Sequence, residues 1–248
     1  MANPLIRKLE HGAELSDEDR RRLTDAIGHV RQVEAHHDLI GEGDRPEEVH
    51  LIVEGFACRY KNLPDGQRQI MAFLVPGDIC DLHVAILGQM DHGIATVSAC
   101  KVADIPRRVI EELTSAHPAI NRALWWATLV DEGTLREWLV GMGRRPADKR
   151  MAHLFCELLV RLDSVGLASD NGFDFPLTQD ELADTLGLST VHANRTLQTL
   201  RDKGLITLSG RRLTVLDVER LRDFAGFNPN YLHLRKRSDG GQPRAEGK

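Results

Sequence analysis

Polar and cationic side chains that could hydrogen-bond to nucleic acid lie close together in the last third of the sequence. They fall within residues 178–200, where two runs with apolar residues at helical spacing flank Gly187. An arginine can form two hydrogen bonds to guanine, asparagine or glutamine can do so to adenine, and valine can contact the thymine methyl group. The set comprises Thr178, Ser189, Thr190, Val191, His192, Asn194, Arg195 and Gln198. We therefore predict contacts with the major groove of DNA.

The elements that would position these side chains are two short helices joined by a tight turn. Thr178 is a predicted N-cap, and Glu181 three residues later completes a capping box. Gly187 allows a sharp turn, and Ser189 caps the second helix. The apolar positions that would form their shared core are Leu182, Ala183, Leu186, Leu188, Leu197 and Leu200. This pattern is typical of a helix-turn-helix. The alternative is a helical hairpin whose polar face meets only water.

Two alternating strands follow this motif. They cover residues 205–208 and 213–216, and the turn between them carries Arg211 and Arg212. This arrangement predicts a wing whose arginines contact phosphates, which fix the protein on DNA without reading its sequence. A basic turn that only meets solvent is the alternative.

The charge of the chain is unevenly distributed. The whole chain carries a net charge of -5, yet residues 1–143 hold 15 basic and 23 acidic side chains, whereas residues 144–237 hold 15 and 12. An acidic first part joined to a basic second part indicates that only the C-terminal part meets a polyanion.

The N-terminal part has short strand-like runs separated by turns about every ten residues, which is typical of an all-β barrel or roll. Asp65-Gly66 between two such runs predicts a hairpin, and Pro76-Gly77-Asp78 predicts another turn. The run from Ile94 to Val102 continues the pattern. Before the roll, Ser16 and the acidic residues after it predict the start of a short helix. We therefore expect a jelly-roll-like N-terminal domain.

A long helix is predicted over residues 118–143, where apolar residues recur every three to five positions. Trp125 and Trp126 are adjacent, so their side chains point about 100° apart and cannot both face one partner. Such a wide apolar surface either only covers the roll or also pairs with a second copy of the chain. The predicted dimerisation residues are Leu124, Ala127, Leu135 and Trp138. Two glycines, two arginines and Pro146 over residues 141–146 are predicted to break the helix and form a hinge.

These elements in this order resemble the CRP/FNR family of bacterial transcription regulators over roughly residues 15–225. The residues that carry the resemblance are Gly43-Asp44, 49–55, Asp65-Gly66, Pro76-Gly77-Asp78 and 188–195. The resemblance implies a cyclic-nucleotide-binding-like roll, a homodimer joined along the long helix, a palindromic operator on double-stranded DNA, and contact with RNA polymerase as an activator. Val191 stands where many members carry a glutamate that reads cytosine, so the operator is expected to differ from the commonest family site.

The fold class is therefore α+β, with four segments. We predict a β-roll sensor domain over residues 1–117, a dimerisation helix over 118–143, a winged helix-turn-helix domain over 144–225 and a C-terminal tail over 226–248. The tail is interpreted as disordered, with a mobile basic arm as the alternative.

The signal sensed by the roll stays open, because this chain departs from the family at the effector residues. In members that bind cyclic nucleotides an Arg-Ser or Arg-Thr pair takes the phosphate, but here Gly93-Ile94 holds its place, and His92 offers only a partial charge. We therefore do not expect cyclic AMP, since a buried phosphate needs a charged partner. The candidate effector-pocket residues are Cys80, Asp81, His83, Ile94 and Thr96.

Other members of the family carry cofactors. Oxygen sensors hold an iron-sulfur cluster on closely spaced N-terminal cysteines, whereas the first cysteine here is Cys58. Haem-binding members use a cysteine and a nearby histidine in the region of Cys80 and His83, so haem sensing is an alternative. Adjacent His36, His37 and Asp38 would point to opposite faces of a strand and are interpreted as surface residues. We expect neither a cofactor nor a metal.

Other function classes are disfavoured by what the sequence lacks. We find no nucleophile elbow, P-loop, dinucleotide fingerprint or metal triad, so we expect no enzyme. There is no secretory signal and no apolar run near the roughly 18 residues of a membrane span, so we expect a cytoplasmic protein. The remaining alternative is a ligand-binding module that regulates a protein partner through its helix-turn-helix.

Overall fold

The computed structural model describes residues 3–235 of the 248-residue chain. Its helices are α1 (Pro4–Leu9), α2 (Asp17–Ala26), α3 (Val84–Leu87), α4 (Arg107–Ala116), α5 (Pro118–Arg144), α6 (Ala147–Ser164), α7 (Gln179–Leu186), α8 (Thr190–Asp202), α9 (Val218–Ala225) and the 3-10 helix Pro229–Leu232. Its strands are β1 (His29–Val33), β2 (Asp38–Ile40), β3 (Glu48–Glu54), β4 (Ala57–Asn62), β5 (Arg68–Leu74), β6 (Gly93–Thr96), β7 (Cys100–Pro106), β8 (Gly172–Asp174), β9 (Ile206–Ser209) and β10 (Arg212–Val215). Within residues 3–235, no helix is long and apolar enough to span a membrane.

The N-terminal strands form a roll of two antiparallel sheets. One sheet has the order β1-β7-β3 and the other β2-β6-β4-β5. Apolar side chains from both sheets fill the space between them, among them Ile52, Leu74, Ile94 and Val102. The predicted α+β fold with an N-terminal β-roll is confirmed.

The turns of the roll follow the sequence signals in one place and depart from them in another. The β4–β5 hairpin turns at Asp65-Gly66 as predicted, and Gly66 has φ +86°, a conformation that favours glycine. The strand-like run from Ile94 to Val102 is divided between two strands, because the chain changes sheets between β6 and β7. At this crossing the Ser98 hydroxyl accepts a hydrogen bond from the Phe56 N–H at 2.9 Å.

The long helix α5 packs against the roll through one face, together with α1, α2 and α4. Its side chains Ile120, Ala123 and Leu124 are buried there. Trp126 is partly buried and stacks on His11, with ring centroids 6.1 Å apart, whereas Trp125 is 57% exposed. The two tryptophans therefore point in different directions, as their adjacency predicts.

The helix does not break at its glycines, contrary to prediction. It passes through Gly141 and Gly143 and ends only at Arg144. Arg145 has extended backbone angles (φ -92°, ψ 137°), which is the conformation favoured before a proline such as Pro146. The proline, and not the glycines, therefore ends the helix.

The C-terminal part holds a winged helix-turn-helix. Helices α7 and α8 form the predicted motif, and α6 and α9 pack beside them. The sheet has the order β8-β10-β9, in which β9 and β10 are the predicted strands of the wing. Strand β8 has only three residues, which are too few to show a strand pattern in the sequence.

A pair of contacts joins the roll directly to the helix-turn-helix. On the β4–β5 hairpin, Arg68 Nε donates to Asp184 Oδ2 of α7 at 2.8 Å, and Gln69 Nε2 donates to the Thr185 carbonyl at 3.3 Å. We call these two contacts the hairpin clamp. It holds the first helix of the motif against the roll of the same chain.

A buried network of charges joins the same domains at a second place. Arg161 of α6 donates to Asp78 Oδ2 at 2.7 Å and to Glu157 Oε1 at 3.2 Å. Asp78 lies in the roll turn 76–78 and also accepts from Lys8 of α1. Burial raises the pKa of a carboxyl group, but Lys8 and Arg161 outweigh it and hold the pKa of Asp78 below its ordinary value. We call this set of ion pairs the Arg161 network.

Residues near the C-terminus take part in this network. Trp138 Nε1 and the Tyr231 hydroxyl both donate to Glu157 Oε2, at 3.0 and 2.9 Å. Phe227 and Leu232 are buried as well. The prediction that the tail begins at residue 226 is therefore wrong, since the packed chain continues to Leu232; tail residues 236–248 lie outside the described part.

His153 of α6 gives the fold a pH dependence that can be measured. Burial lowers its pKa to about 4, and the Arg145 charge adds to this effect although a Glu137 carboxylate oxygen lies 3.3 Å from Nε2. The folded state therefore favours the neutral ring, whereas the unfolded chain takes up the proton near the ordinary pKa of about 6.5.

We expect the free energy of unfolding to fall by about 2 kcal/mol between pH 7.5 and pH 5 through this residue. Its stabilising effect is complete above the unfolded pKa and is lost as the pH falls toward the folded one. Urea titrations of the wild type and His153→Gln at several pH values test this, with the exposed His29→Gln as control. The same pH dependence in His153→Gln and the wild type would contradict it.

Candidate functional site

The helix-turn-helix is built by local signals that the sequence shows. The Thr178 hydroxyl accepts from the Glu181 N–H at 3.2 Å and completes the capping box of α7. Gly187 follows with φ +59°, a left-handed conformation that allows the sharp turn. Ser189 Oγ then accepts from the His192 N–H at 3.3 Å and caps α8. The N-terminal turn of α8 is thereby held on the surface.

The exposed face of α8 presents a mixed apolar and cationic surface. Val191 is 60% exposed, and His192, Arg195 and Gln198 are exposed as well. With residues 146–148 at the start of α6, several of these side chains line a shallow groove. In this motif the N-terminal end of the second helix enters the major groove. There the surface offers the guanidinium of Arg195 for two hydrogen bonds to a base and Val191 for an apolar contact.

Several predicted base-contacting side chains are tied to neighbouring residues in this structure. Thr190 Oγ1 donates to Asp180 Oδ1 at 2.6 Å, and Gln198 Nε2 donates to Asp202 Oδ1 at 2.6 Å. Asn194 Nδ2 similarly donates to Gln179 of α7. These exposed hydrogen bonds would have to open before their donors contact DNA. Thr178 and Ser189 already serve as helix caps, so Val191, His192 and Arg195 are the side chains most ready for contact.

The two arginines of the wing differ in position. Gly210 (φ +59°) makes the turn, and Arg211 is exposed beside it, with Nε 3.9 Å from Asp174 Oδ1. Arg212 Nη2 turns back and donates to the Ser169 carbonyl at 2.6 Å. The prediction for the two arginines is therefore corrected: Arg211 extends from the tip, whereas Arg212, although exposed, is tied to Ser169 of its own domain.

The outer face of α5 is a second surface feature. It carries an apolar stripe along the helix, with Leu139 as the most exposed member at 73%. We call this the outer stripe of α5; it comprises Trp125, Leu129, Leu135, Leu139, Val140 and Met142.

The predicted dimerisation residues divide between the two faces of α5. Leu135 belongs to the outer stripe, and Ala127 is half-buried. Leu124 is buried against the roll, and Trp138 packs inward and donates to Glu157, so both predictions are corrected. Their error has one cause, since the helical period does not tell which of two apolar faces meets the chain's own roll.

A cavity of about 390 Å³ lies between the roll and α5. Its apolar lining includes Leu9, Ile79 and Leu82, and Thr128 and Leu135 of α5 lie along its wall. The polar residues that line it are Lys8, Arg59, His83, Asp91, His92, Asp131 and Glu132.

Of the five predicted effector-pocket residues, His83 alone lines this cavity. Cys80 and Ile94 are fully buried between the two sheets of the roll. Asp81 is buried and pairs with His50 Nδ1 at 2.8 Å, and Thr96 is buried and donates to the Glu34 carbonyl at 2.7 Å. These four predictions are corrected.

The separation of Cys80 from His83 bears on the haem alternative. Burial raises the pKa of the Cys80 thiol well above its ordinary value, and this thiol does not line the cavity that His83 lines. The two side chains thus do not meet in one site here.

The charged residues of the cavity were not predicted from the sequence. Arg59 of β4 donates to Asp131 Oδ2 of α5 through Nη1 and Nη2, at 3.1 Å each, and to the Cys80 carbonyl at 2.9 Å. Lys8 pairs with Asp78. Both cations of the lining are therefore already neutralised by carboxylates. No local sequence pattern predicts these ion pairs, since Arg59 and Asp131 lie 72 residues apart in the sequence.

His83 and His92 face each other in the cavity wall, with ring centroids 5.4 Å apart. His92 Nδ1 lies 2.6 Å from Asp91 Oδ1. Burial lowers the pKa of both imidazoles, and the charge of Arg59 adds to the effect. Both rings are thus held mainly in the neutral form at pH 7.

Two family models match this chain. A cyclic nucleotide-binding domain matches residues 30–117, and a Crp-like helix-turn-helix domain matches residues 149–224.

Known proteins resemble the chain over most of its length. The nitrogen fixation regulation protein FixK of Bradyrhizobium diazoefficiens is 30% identical over 189 residues, covering 75% of this chain and 78% of the relative. The transcriptional activator protein FnrL of Cereibacter sphaeroides is 29% identical over 233 residues, covering 92% and 89%. The structure of FixK2 from Bradyrhizobium japonicum matches with a TM-score of 0.69 and 25% identity, covering 79% of this chain and 96% of that one.

Proposed function

Because the chain belongs to the CRP/FNR family of transcription regulators, we propose that it is a homodimeric activator that binds a palindromic operator and senses a signal at the roll. The observation that carries this proposal is the exposed face of α8, where Val191, His192 and Arg195 stand at the capped N-terminal end of the second helix of the motif. An activator acts by contacting RNA polymerase, which we include as a partner because FnrL is named a transcriptional activator.

The outer stripe of α5 supports the dimer. Large apolar side chains such as Trp125 and Leu139 are more than half exposed along one side of a 27-residue helix. Exposed apolar stripes of this kind mark protein interfaces. A second copy that pairs along α5 would bury them and place two α8 helices on one side of the assembly. Two such helices about one DNA turn apart read a palindrome.

The direct test is selection of a random DNA library by the purified chain, with sequencing of the bound fraction and no added effector. We expect a palindrome whose half-sites lie about 10 base pairs apart, centre to centre. Enrichment of a single unpaired half-site would contradict the dimer. A complete lack of salt-sensitive DNA affinity would contradict DNA binding itself and favour a module that regulates a protein partner.

Arg195→Ala and Arg211→Ala should weaken DNA binding in different ways. Arg195 faces the groove, so its loss should cost about 1 to 3 kcal/mol and relax discrimination at one base pair of each half-site. Arg211 extends from the wing toward phosphates, so its loss should weaken all sequences alike and reduce the slope of affinity against salt by about 1. Fluorescence anisotropy on the selected operator and its single-base variants measures both. Unchanged base discrimination in Arg195→Ala would refute its assignment.

Leu139→Glu should separate the dimer. Burial of this leucine contributes roughly 1.5 to 3 kcal/mol per copy, and a buried unpaired carboxylate adds a further cost. Analytical ultracentrifugation over a dilution series should show a clear shift to monomer. Leu216→Glu is the matched control, because Leu216 is 53% exposed but follows the wing and lies off the outer stripe. A dimer of unchanged affinity in Leu139→Glu would place the interface elsewhere.

A further inference from the structure

His83, Asp91 and His92 form a compact cluster in the wall of the roll cavity. One nitrogen or oxygen of each side chain can be chosen so that all three atoms lie within 4.8 Å of one another. His83 directly precedes α3, and the other two residues end the loop that leads into β6. The cluster thus brings together the two ends of the segment 83–92, which contains α3.

The nitrogens of this cluster lack the partners that buried polar atoms require. His83 Nε2 and His92 Nε2 are both buried and have no hydrogen-bond partner. His92 as a whole is only 8% exposed. A buried unsatisfied nitrogen costs about 1 to 3 kcal/mol, so two of them in one cluster point to a missing ligand.

Asp91 supplies the carboxylate that a histidine metal ligand commonly has. Its Oδ1 lies 2.6 Å from His92 Nδ1, which leaves Nε2 of the same ring free to bind an ion. Carboxylate–histidine–metal arrangements of this kind fix the tautomer and orientation of the ring. Asp91 itself is 82% exposed at its side chain, so it can also turn toward an ion as a third ligand.

The distances suit a transition metal after a small movement. In tetrahedral geometry two ligand atoms that are each about 2.0 to 2.2 Å from one ion lie about 3.3 to 3.6 Å apart, so atoms separated by up to 4.8 Å need to close by about 1.5 Å or less. Imidazole and carboxylate ligands suit Zn²⁺, Co²⁺, Ni²⁺ and Fe²⁺.

The charge of the cavity permits a cation. Arg59 lies in the same lining, but Asp131 accepts two hydrogen bonds from its guanidinium. Glu132 lies in the lining as well, and it forms an ion pair with Arg136. Asp91 is then the carboxylate left to balance an ion bound by the two imidazoles.

We propose that His83, Asp91 and His92 bind one divalent transition-metal ion, with a coordination position left open toward the cavity. This site was not expected from the sequence, where the two histidines are nine residues apart without a familiar metal spacing. It does not depend on the proposed DNA binding. An ion here would fasten the start of α3, which carries the exposed Ile86 and Leu87, to β6 beside the wall formed by α5.

The test uses the full-length, untagged chain, stripped with a chelator and titrated with Co²⁺. We expect one equivalent to bind, with visible d–d absorption that Zn²⁺ abolishes by competition, and one Zn²⁺ per chain by elemental analysis after dialysis. His83→Gln and His92→Gln should each weaken binding at least tenfold, and Asp91→Asn about tenfold. His29→Gln, an exposed histidine of β1, should bind like the wild type.

Circular dichroism shows whether each variant is folded. If both histidine variants fail to fold, Asp91→Asn decides, since its exposed side chain can be changed without disturbing the core. Less than one ion per wild-type chain, or equal affinity of the wild type and the folded cluster variants, would overturn the site. Operator selection is measured separately, so its failure leaves the metal result intact.

Discussion

The structure depends on one buried guanidinium. Arg161 lies on the first helix of the C-terminal domain, yet it binds Asp78 of the roll and Glu157 of its own helix, and Glu157 in turn accepts from Trp138 of the long helix. Removing one member of a buried ion pair costs about 3 to 5 kcal/mol, because the remaining charge stays buried without a partner. The roll, the long helix and the helix-turn-helix domain therefore share an interaction that none of them can satisfy alone. Tyr231 completes it, which explains why the chain stays packed beyond α9.

This constraint also determines how α5 is used. Its inner face is occupied by contacts with the roll and with Glu157, whereas its outer stripe remains exposed to solvent. Arg59 holds the middle of the same helix through Asp131, in the wall of the cavity. A structural change in the cavity would therefore act on α5 close to the outer stripe. Leu135 belongs to both the cavity lining and the outer stripe. The cavity and the outer stripe thus lie along the same helix, α5.

Local signals predicted the fold well, and distant pairings explain most of what was missed. The capping box at Thr178, the left-handed turn at Gly187 and the hairpin at Asp65-Gly66 each lie within a few residues, and the structure has all three. The cavity residues come from segments far apart in the chain, so no spacing rule finds Arg59 beside Asp131. Leu124 and Trp138 were misassigned for a related reason. The spacing of apolar residues shows that a helix face is buried, but it does not show which part of the protein, or which partner, buries it.

The hairpin clamp has a consequence for how DNA affinity should be interpreted. Arg68 and Asp184 are each about one-third exposed, so dissolved ions screen their attraction. Added salt then has two effects: it weakens DNA binding through counterion release, and it weakens the contact of α7 with the roll. The slope of DNA affinity against salt concentration consequently does not equal the number of phosphates that the protein contacts. The difference in this slope between two variants with an intact hairpin clamp still counts phosphate contacts, because the effect of salt on the clamp is the same in both and cancels.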